Sequence, residues 1–425
     1  MEGSEEFESE EVDALFFTGE TEAAPAQETG YLNEAYSYKQ IGSIAKYVEP
    51  VSSRSSMDAV LDLFKNDSTL NAVPVEEYDH VIGIIDRKTV DKATGSAWKR
   101  FTSGNVGECT TRVDSIFHAN EFIEKSINEV TRINRSTGIE YFPVFVGRSF
   151  LGLVSLDDFL TRIADIREKD LQKASVIQTA QFPTEAELAA LPYKVTVWNR
   201  MANMLGGDAY LAYRISEDES IVGVFDVSGK NVAASLLTMT VSSFFKALAK
   251  LPCAPRSAVQ IVSLLDAYLA SVVPPGNFIT SILCYMDMKK RRMHIFNCGH
   301  TTTFLFYREP GSTAPVKSAS ILPKLPPFGM GAIGDQLAKP GSPKEHPYLL
   351  LEMRSGIHLD LYSDGFTDMQ NSDGIRFEEK NACEFFRKLY ETPDEQVGNT
   401  IGEAVDKYIG GTLIPDDITV MDIRV

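Results

Sequence analysis

The chain of 425 residues reads as an α+β protein. A β-sandwich flanked by helices fills its C-terminal part, preceded by a smaller α/β pair and a helical linker. Three observations predict this. Between residues 191 and 425, strand-like runs flank two central helical stretches, the pattern of two sheets covered by helices. Between residues 40 and 160 a short pattern occurs twice, 69 residues apart. A stretch free of Gly and Pro, from Asp158 to about Gln181, joins the two parts.

Composition bounds the possibilities. The length suits two or three domains. Hydrophobic content of 44% and charged content of 24% are those of an ordinary globular protein. The net charge is −18, and residues 1–38 hold eleven acids and no Lys or Arg, so the remainder carries only −7. An acidic total disfavours contact with a phosphate backbone, so no nucleic-acid partner is expected. No apolar run approaches the length of a membrane span, and no basic, apolar leader opens the chain. The expectation is a cytoplasmic protein without membrane insertion. Cys109, Cys253, Cys284, Cys298 and Cys383 are scattered, without CxxC spacing, which argues for reduced thiols and against zinc.

Residues 1–38 read as a disordered acidic tail. Leu15-Phe16-Phe17 inside it is an incidental apolar patch or, alternatively, a docking peptide. Residues 39–160 carry the repeat. Val73-Pro74-Val75 precedes Gly83 as Phe142-Pro143-Val144 precedes Gly152, and each glycine sits in an apolar run. Upstream of each copy lies an amphipathic helix, Met57–Phe64 with Val60, Leu63 and Phe64 on one face, and Ala119–Ile133 with Phe122, Ile123, Ile127 and Val130. In such a duplicated unit neither half buries its face alone. The pattern resembles a pair of CBS motifs, a Bateman module. That resemblance implies an adenine nucleotide held between the copies, with Ser155 and Asp158 as contacts in the second copy. The first copy has Thr89 where the second has Asp158. A pair that serves only as a dimerisation scaffold is the alternative.

In the linker, residues 161–190, Leu160, Ile163, Ile166, Leu171, Ala174 and Ile177 recur at spacings of three and five. This resembles a short coiled-coil seam with a defect near Asp170. The reading adopted is a coiled coil joining two protomers of a homodimer; a helix lying on its own domain is the alternative.

Residues 191–425 open with a strand over Val195–Trp198. One helix then uses Leu237, Val241, Phe244, Phe245 and Leu248; the next, starting near Pro255 and Ser257, uses Ile261, Leu264, Leu265, Tyr268 and Leu269. Strands follow over Phe278–Met286 and Met293–Asn297. Glu309–Pro347, rich in Pro and Gly, reads as a long surface loop or flap.

The chemistry lies in aspartates at strand ends: Asp208 after Gly206-Gly207, Asp226 before Val227-Ser228-Gly229-Lys230, Asp364 before Gly365, and Asp416-Asp417 before a terminal strand. One such Asp is an ordinary turn former. Four sites brought together would repel and raise one another's pKa values. Divalent cations relieve such repulsion, and all-oxygen ligation suits Mg²⁺ or Mn²⁺ rather than zinc.

From about Leu191 onward the chain resembles the bacterial PPM (PP2C-like) serine/threonine phosphatases of the SpoIIE/RsbU type. The resemblance rests on Gly206-Gly207-Asp208, Asp226-Val227-Ser228-Gly229-Lys230, Asn297-Cys298-Gly299-His300, Leu361-Tyr362-Ser363-Asp364-Gly365 and Asp416-Asp417-Ile418-Thr419, in the family's order. It implies two divalent cations: Asp226 would bridge them, Asp208 and the Val227 carbonyl would hold one, and Asp364 and Asp416 the other, with Asp417 the alternative to Asp416, which matches the first residue of the family's acidic pair. A metal-activated water would then hydrolyse a phosphoprotein, often a STAS-type anti-sigma antagonist. Two positions depart from the family: Leu211 stands where a second Asp is common, and Asn231 where a third glycine is usual. His300 is expected to pack or hydrogen-bond, Cys284 and Cys298 to be core residues, and Lys230 to be a turn lysine or to meet substrate phosphate. Two other functions stay open: a catalytically silent fold acting as a ligand sensor, and a hydrolase of small phosphoesters.

Overall fold

The computed structural model describes residues 35–95, 104–113, 115–230, 232–250, 257–339 and 346–425. Leu15-Phe16-Phe17, Asn231, Cys253 and Pro255 lie outside them. The chain falls into two compact units, Met1–Glu168 and Lys169–Val425. The segment expected as a separate linker is shared between the two.

The first unit builds one motif twice. The first copy is β1 (Val51–Ser52), α1 (Met57–Asn66), β2 (Ala72–Glu77), β3 (His80–Asp86) and α2 (Arg87–Thr94). After a short α3 (Val106–Cys109), the second copy is β4 (Phe117–His118), α4 (Ile123–Thr137), β5 (Tyr141–Val146), β6 (Ser149–Ser155) and α5 (Leu156–Thr179). In each three-stranded sheet the first pair is parallel and the second antiparallel. The two hairpins share a register: Val75 faces Gly83 as Val144 faces Gly152, and both ladders slip just afterwards.

Both glycines lie where another stretch of chain crosses. A Cβ on Gly83 would sit 2.4 Å from the Thr111 carbonyl oxygen, and one on Gly152 2.5 Å from that of Lys46. Thr111 bridges to Ile84 and Lys46 to Leu153, so the chain leading into each copy crosses the other's hairpin. One core holds Ile41, Ala72 and Ile84 together with Phe142, Val144 and Val154. Tyr36 and Tyr38 pack on it, so the acidic tail ends before residue 38. Leu63 and Phe122, assigned to buried faces, are exposed at 42% and 43%. The second helix begins at Ile123 rather than Ala119, because the Ala119 carbonyl takes the Gly42 N–H at 2.8 Å and the Ile123 N–H goes to the Lys39 carbonyl at 3.0 Å instead of to Ala119.

The linker seam is not continuous. Ile163 and Ile166 are buried in the first unit's core, whereas Leu160, Val176 and Ile177 are exposed. Over its first half the helix lies on its own unit, the alternative reading of the sequence.

The second unit is a four-layer sandwich. It contains α6 (Glu185–Ala189), β7 (Lys194–Arg200), β8 (Asp208–Arg214), β9 (Glu219–Val227), α7 (Val232–Lys250), α8 (Ala258–Val272), β10 (Ile279–Asp287) and β11 (Arg292–Cys298). There follow β12 (Thr303–Tyr307), β13 (Lys317–Ile321), α9 (Ile333–Leu337), β14 (Leu349–Glu352), β15 (Ile357–Tyr362), α10 (Asp364–Asp368), α11 (Glu378–Leu389), α12 (Val397–Ile409) and β16 (Ile418–Arg424). Two antiparallel sheets result, in the orders β14-β11-β10-β9-β8 and β13-β12-β15-β16-β7.

Strand alternation assigns the layers. On β9, Ile221, Phe225 and Val227 pack with α7 and α8, while Val222 and Val224 face the other sheet. On β16, Ile418 and Val420 pack with α11 and α12, while Met421 and Ile423 face inward. Each fully buried Phe, such as Phe225 or Phe386, contributes about 1.5–3 kcal/mol.

Two expectations need correction. Helix α7 has the length and apolar composition of a membrane span. It lays Ala234, Val241 and Phe245 into the core beside α8. The Pro- and Gly-rich segment is no loose flap: it supplies β13 and α9, and buries Leu325, Phe328 and Ile333. Asp266 on α8 anchors α9 by accepting the N–H groups of Ile333 and Gly334 at 2.9 and 3.0 Å.

One buried pair sits in the second sheet. Asp360 and Asp422 face each other across β15 and β16, only 1% and 0% exposed. Asp360 Oδ1 and Asp422 Oδ2 have no partner, while Arg424 donates to Asp422 Oδ1 at 2.6 Å. Burial, and then mutual repulsion, push Asp360 well above the carboxylate range; burial raises Asp422 against the pull of Arg424. One proton shared between the two free oxygens would satisfy both. The folded chain then holds a proton that the unfolded chain loses above about pH 4, so stability falls as pH rises from there. Asp360→Asn should therefore raise the melting temperature at about pH 8 and flatten the loss between about pH 5 and pH 8, by about 1–2 kcal/mol in thermal denaturation.

Candidate metal centre

The same alternation that builds the inter-sheet core delivers the acids. On β9, Val222, Val224 and then Asp226 point between the sheets. On β8, Asp208 occupies the first position of the strand, directly opposite Asp226. Like charges placed opposite each other on paired strands are destabilising. Burial, and then the Asp226 charge, raise Asp208 well above its ordinary value. Burial, with Asp364, Asp416 and Asp417 behind it, pushes Asp226 up to about 7.

The second sheet brings the other pair. Asp364 follows β15 through Ser363 and opens α10. Its pKa is raised by burial and by Asp416. Gly365 permits the approach: a Cβ there would lie 2.0 Å from the Asp417 carbonyl oxygen and 3.3 Å from the Asp416 Cβ. Asp416 accepts Lys230 Nζ at 2.8 Å, and the same ammonium reaches the Pro415 carbonyl at 2.7 Å.

Asp417 does different work. Its carboxylate accepts the Ala202 and Gly207 N–H groups, each at 2.7 Å. It therefore fastens the loop before β8 to the start of β16. Gly206 has no space for a side chain, since a Cβ would stand 2.7 Å from Asp417 Oδ2. Asp417 is buried behind the site, whereas Asp416 is half-buried and faces Lys230.

Smaller groups complete the surroundings. Thr419 donates to Asp208 Oδ2 at 2.7 Å and accepts from Asn199 Nδ2 at 2.8 Å. Ser363 hydrogen-bonds Asp208 and accepts the Thr419 N–H. The Val227 carbonyl lies beside the loop, 3.0 Å from where a Gly207 Cβ would be. His300 is buried and bonded at both ring nitrogens, to Thr280 Oγ1 at 2.9 Å and the Tyr362 carbonyl at 3.0 Å. The carbonyl can only accept, so Nε2 carries the proton and Nδ1 accepts from Thr280. Burial pulls the ring down to about 4, so it is neutral and ties β10 to the end of β15. Cys284 and Cys298 are fully buried.

The donors are all hard oxygens, the set that Mg²⁺ or Mn²⁺ takes. Asp208 stands with Asp226 and Asp364 with Asp416; burial first, and then the neighbouring carboxylate, raises Asp208 and Asp364, and a cation would relieve the second cause. Among the described residues, no three His, Cys, Asp or Glu side chains stand close enough to form a ready cage. In its chemistry the donor set fits a hard divalent cation, and Lys230 holds one of the carboxylates.

Ser155 and Asp158 lie apart from this centre, in the first unit. Ser155 Oγ donates to Asp158 Oδ2 at 2.6 Å and accepts the Asp158 N–H at 3.0 Å, which caps α5. Burial raises Asp158, but hydrogen bonds from Lys46 and Ser155 hold it below the usual range. Both residues line a cavity of about 670 Å³ that also includes Lys46, Asn71 and Tyr141. In the first copy the types are exchanged: Asp86 caps α2 by accepting the Thr89 N–H at 2.7 Å.

Sequence reasoning gave no role to Thr419, Ser363 or Asn199, and set Asp417 only as the alternative to Asp416 as a ligand. Thr419 stands in the quoted Asp416–Thr419 motif, and its inward register was the available signal. The two neighbouring aspartates should separate in denaturation. Asp417→Ala should cost about 3 kcal/mol or more, because buried N–H groups lose a charged acceptor. Asp416→Ala should stay within about 1 kcal/mol, as it breaks a partly exposed ion pair.

Residues 216–425 match the family model described as Stage II sporulation protein E (SpoIIE), a match that begins after Asp208. The SiaA-PP2C domain of Pseudomonas aeruginosa superposes with a TM-score of 0.50 at 19% identity, over 62% of this chain and 98% of that one. The PP2C phosphatase domain of SpoIIE from Bacillus subtilis, solved with a regulatory fragment, gives 0.41 at 16% identity, over 55% and 64%. No curated protein sequence matches the chain. Residues 216–425 thus resemble the SpoIIE family, and the second unit has the fold of a PP2C domain.

Proposed function

We propose that the chain is a metal-dependent phosphatase acting on phosphoserine or phosphothreonine of a partner protein in bacterial signalling, a STAS-type anti-sigma antagonist being the candidate class. The observation that carries this is the Asp208–Asp226 pair, two acids set opposite each other on neighbouring strands, each raised first by burial and then by neighbouring carboxylates. Asp226 would bridge two cations, Asp208 and the Val227 carbonyl would hold one, and Asp364 and Asp416 the other. The cations, when bound, supply an activated water and neutralise the phosphoryl oxygens. The chain's own part is positioning. Thr419 and Ser363 orient Asp208, Asp417 fixes the loop before it, and neutral His300 braces the strand ends.

The first unit is read as the regulator. Its cavity at Ser155 and Asp158 would take an adenine nucleotide, and α5, continuous from Leu156 to Thr179, would pass the signal on. Exposed Val176 and Ile177 support a homodimer formed along this helix. One observation favours a second reading, a catalytically silent ligand sensor: Lys230 already neutralises Asp416.

The test is hydrolysis of a generic phosphate ester and a phosphothreonine peptide with Mn²⁺. Asp226→Asn should lose more than about 100-fold, beyond what residues supporting a metal usually cost. Activity on the ester alone would indicate a small-molecule hydrolase. Absence of Mn²⁺ binding in calorimetry would establish the silent reading. Inserting residues into α5 should change the rate or its response to adenine nucleotides; an unchanged rate and response would remove the helix from the regulatory path.

A further inference from the structure

The last turn of α5 carries a polar residue with an unusual position. Gln178 is 1% exposed, although Val176 and Ile177 beside it are exposed. Its amide nitrogen donates to the Gly206 carbonyl at 2.8 Å and to Thr238 Oγ1 at 2.9 Å. Its amide oxygen accepts the Gly206 N–H at 3.2 Å. The side chain thus pairs with both backbone groups of one residue, as a strand would, and adds a third bond to α7. Thr238 is fixed in turn, because its hydroxyl donates to the Ser235 carbonyl at 2.7 Å and so accepts from Gln178.

Gly206 lies two residues before Asp208. That loop has other fixings. Ala202 and Gly207 donate to Asp417, each at 2.7 Å, and Val227 N–H donates to the Gly207 carbonyl at 3.2 Å. Of these, only Gln178 comes from α5. The end of that helix is itself held by Lys246 Nζ on the Ala180 carbonyl at 2.9 Å and by Phe182 stacked on Tyr210.

We propose that Gln178 is a positioning residue that sets the Asp208 loop from the linker helix, so that a rotation or shift of the last turn of α5 loosens Asp208 as a metal ligand. The inference rests on the metal-dependent reading given above and names the contact through which α5 reaches that site. Two buried amide–backbone bonds would break together on such a shift, because a planar carboxamide can pair with both groups of Gly206 only in one plane. The coupling is therefore stepwise rather than graded.

The experiment uses the full chain and Mn²⁺ alone as probe. Calorimetry would compare wild type with Gln178→Met, which keeps the volume and removes all three bonds, and thermal denaturation would report folding. Amide hydrogen exchange in EDTA would read the loop directly. Gln178→Met should weaken Mn²⁺ binding by about tenfold or more, the size expected of a residue that orients a ligand. It should also speed exchange at Gly206 and leave the β10 and β15 amides protected. Where Gln178→Met fails to fold, Thr238→Val decides, with a loss of about threefold expected. Wild-type Mn²⁺ affinity in whichever variant folds would overturn the proposal while leaving the phosphatase reading intact. No Mn²⁺ binding by the wild type would overturn both.

Discussion

The centre depends on one carboxylate that faces away from it. Asp417 belongs to the start of β16, in one sheet, and accepts backbone N–H groups from the loop that leads into β8, in the other. Hydrogen bonds to a charged group stabilise by about 1.5–3 kcal/mol each. They hold together two sheet edges whose remaining acids repel. Asp208 and Asp226 project from one sheet, Asp364 and Asp416 lie at the margin of the other, and without a clamp the strand ends would part. His300 adds a second, uncharged tie between the sheets, and its burial keeps it neutral.

The glycines around the clamp follow from it. Gly206 and Gly365 are small because Asp417 fills the space on both sides, its carboxylate against the first and its carbonyl against the second. The doublets Gly-Asp and Asp-Gly are thus parts of one packing arrangement. This is why Asp416 and Asp417, chemically alike and adjacent, have separate tasks: one is consumed by backbone donors, and the other is left facing Lys230.

Much of this was legible in the sequence, and the failures have physical causes. Apolar runs and alternation placed several strands, and the four acids were read from their places at strand ends. Neither could say what covers a face. Asp360 and Asp422 alternate as the polar side of half-buried strands, yet α11 and α12 close over that side and bury both. The linker heptad misled for the same reason: Ile163 and Ile166 have the spacing of a seam, but the repeat core is nearer than a second helix. Pro and Gly between Glu309 and Pro347 signalled a loop, whereas Asp266, distant in sequence, supplies the acceptor that lets α9 form there. Gln178 gave no signal, because one amide in a helix has no pattern.

The charge arrangement sets the terms for any function. A fold needs Asp417 to join its sheets, but it gains nothing mechanical from Asp226, which is pushed to about 7 and whose partner across the strands is another acid. Replacing such a pair with neutral residues usually stabilises a protein, because desolvation outweighs what remains of the attraction to nearby cations. Lys230 pairs directly with Asp416; it lowers Asp226 and Asp364 less than burial and the surrounding carboxylates raise them. A second positive charge is therefore still wanted deeper in, between Asp226 and Asp208, where no lysine or arginine of the described residues is hydrogen-bonded. On the proposed reading a divalent ion answers that need. A second ion would have to compete with Lys230 for Asp416.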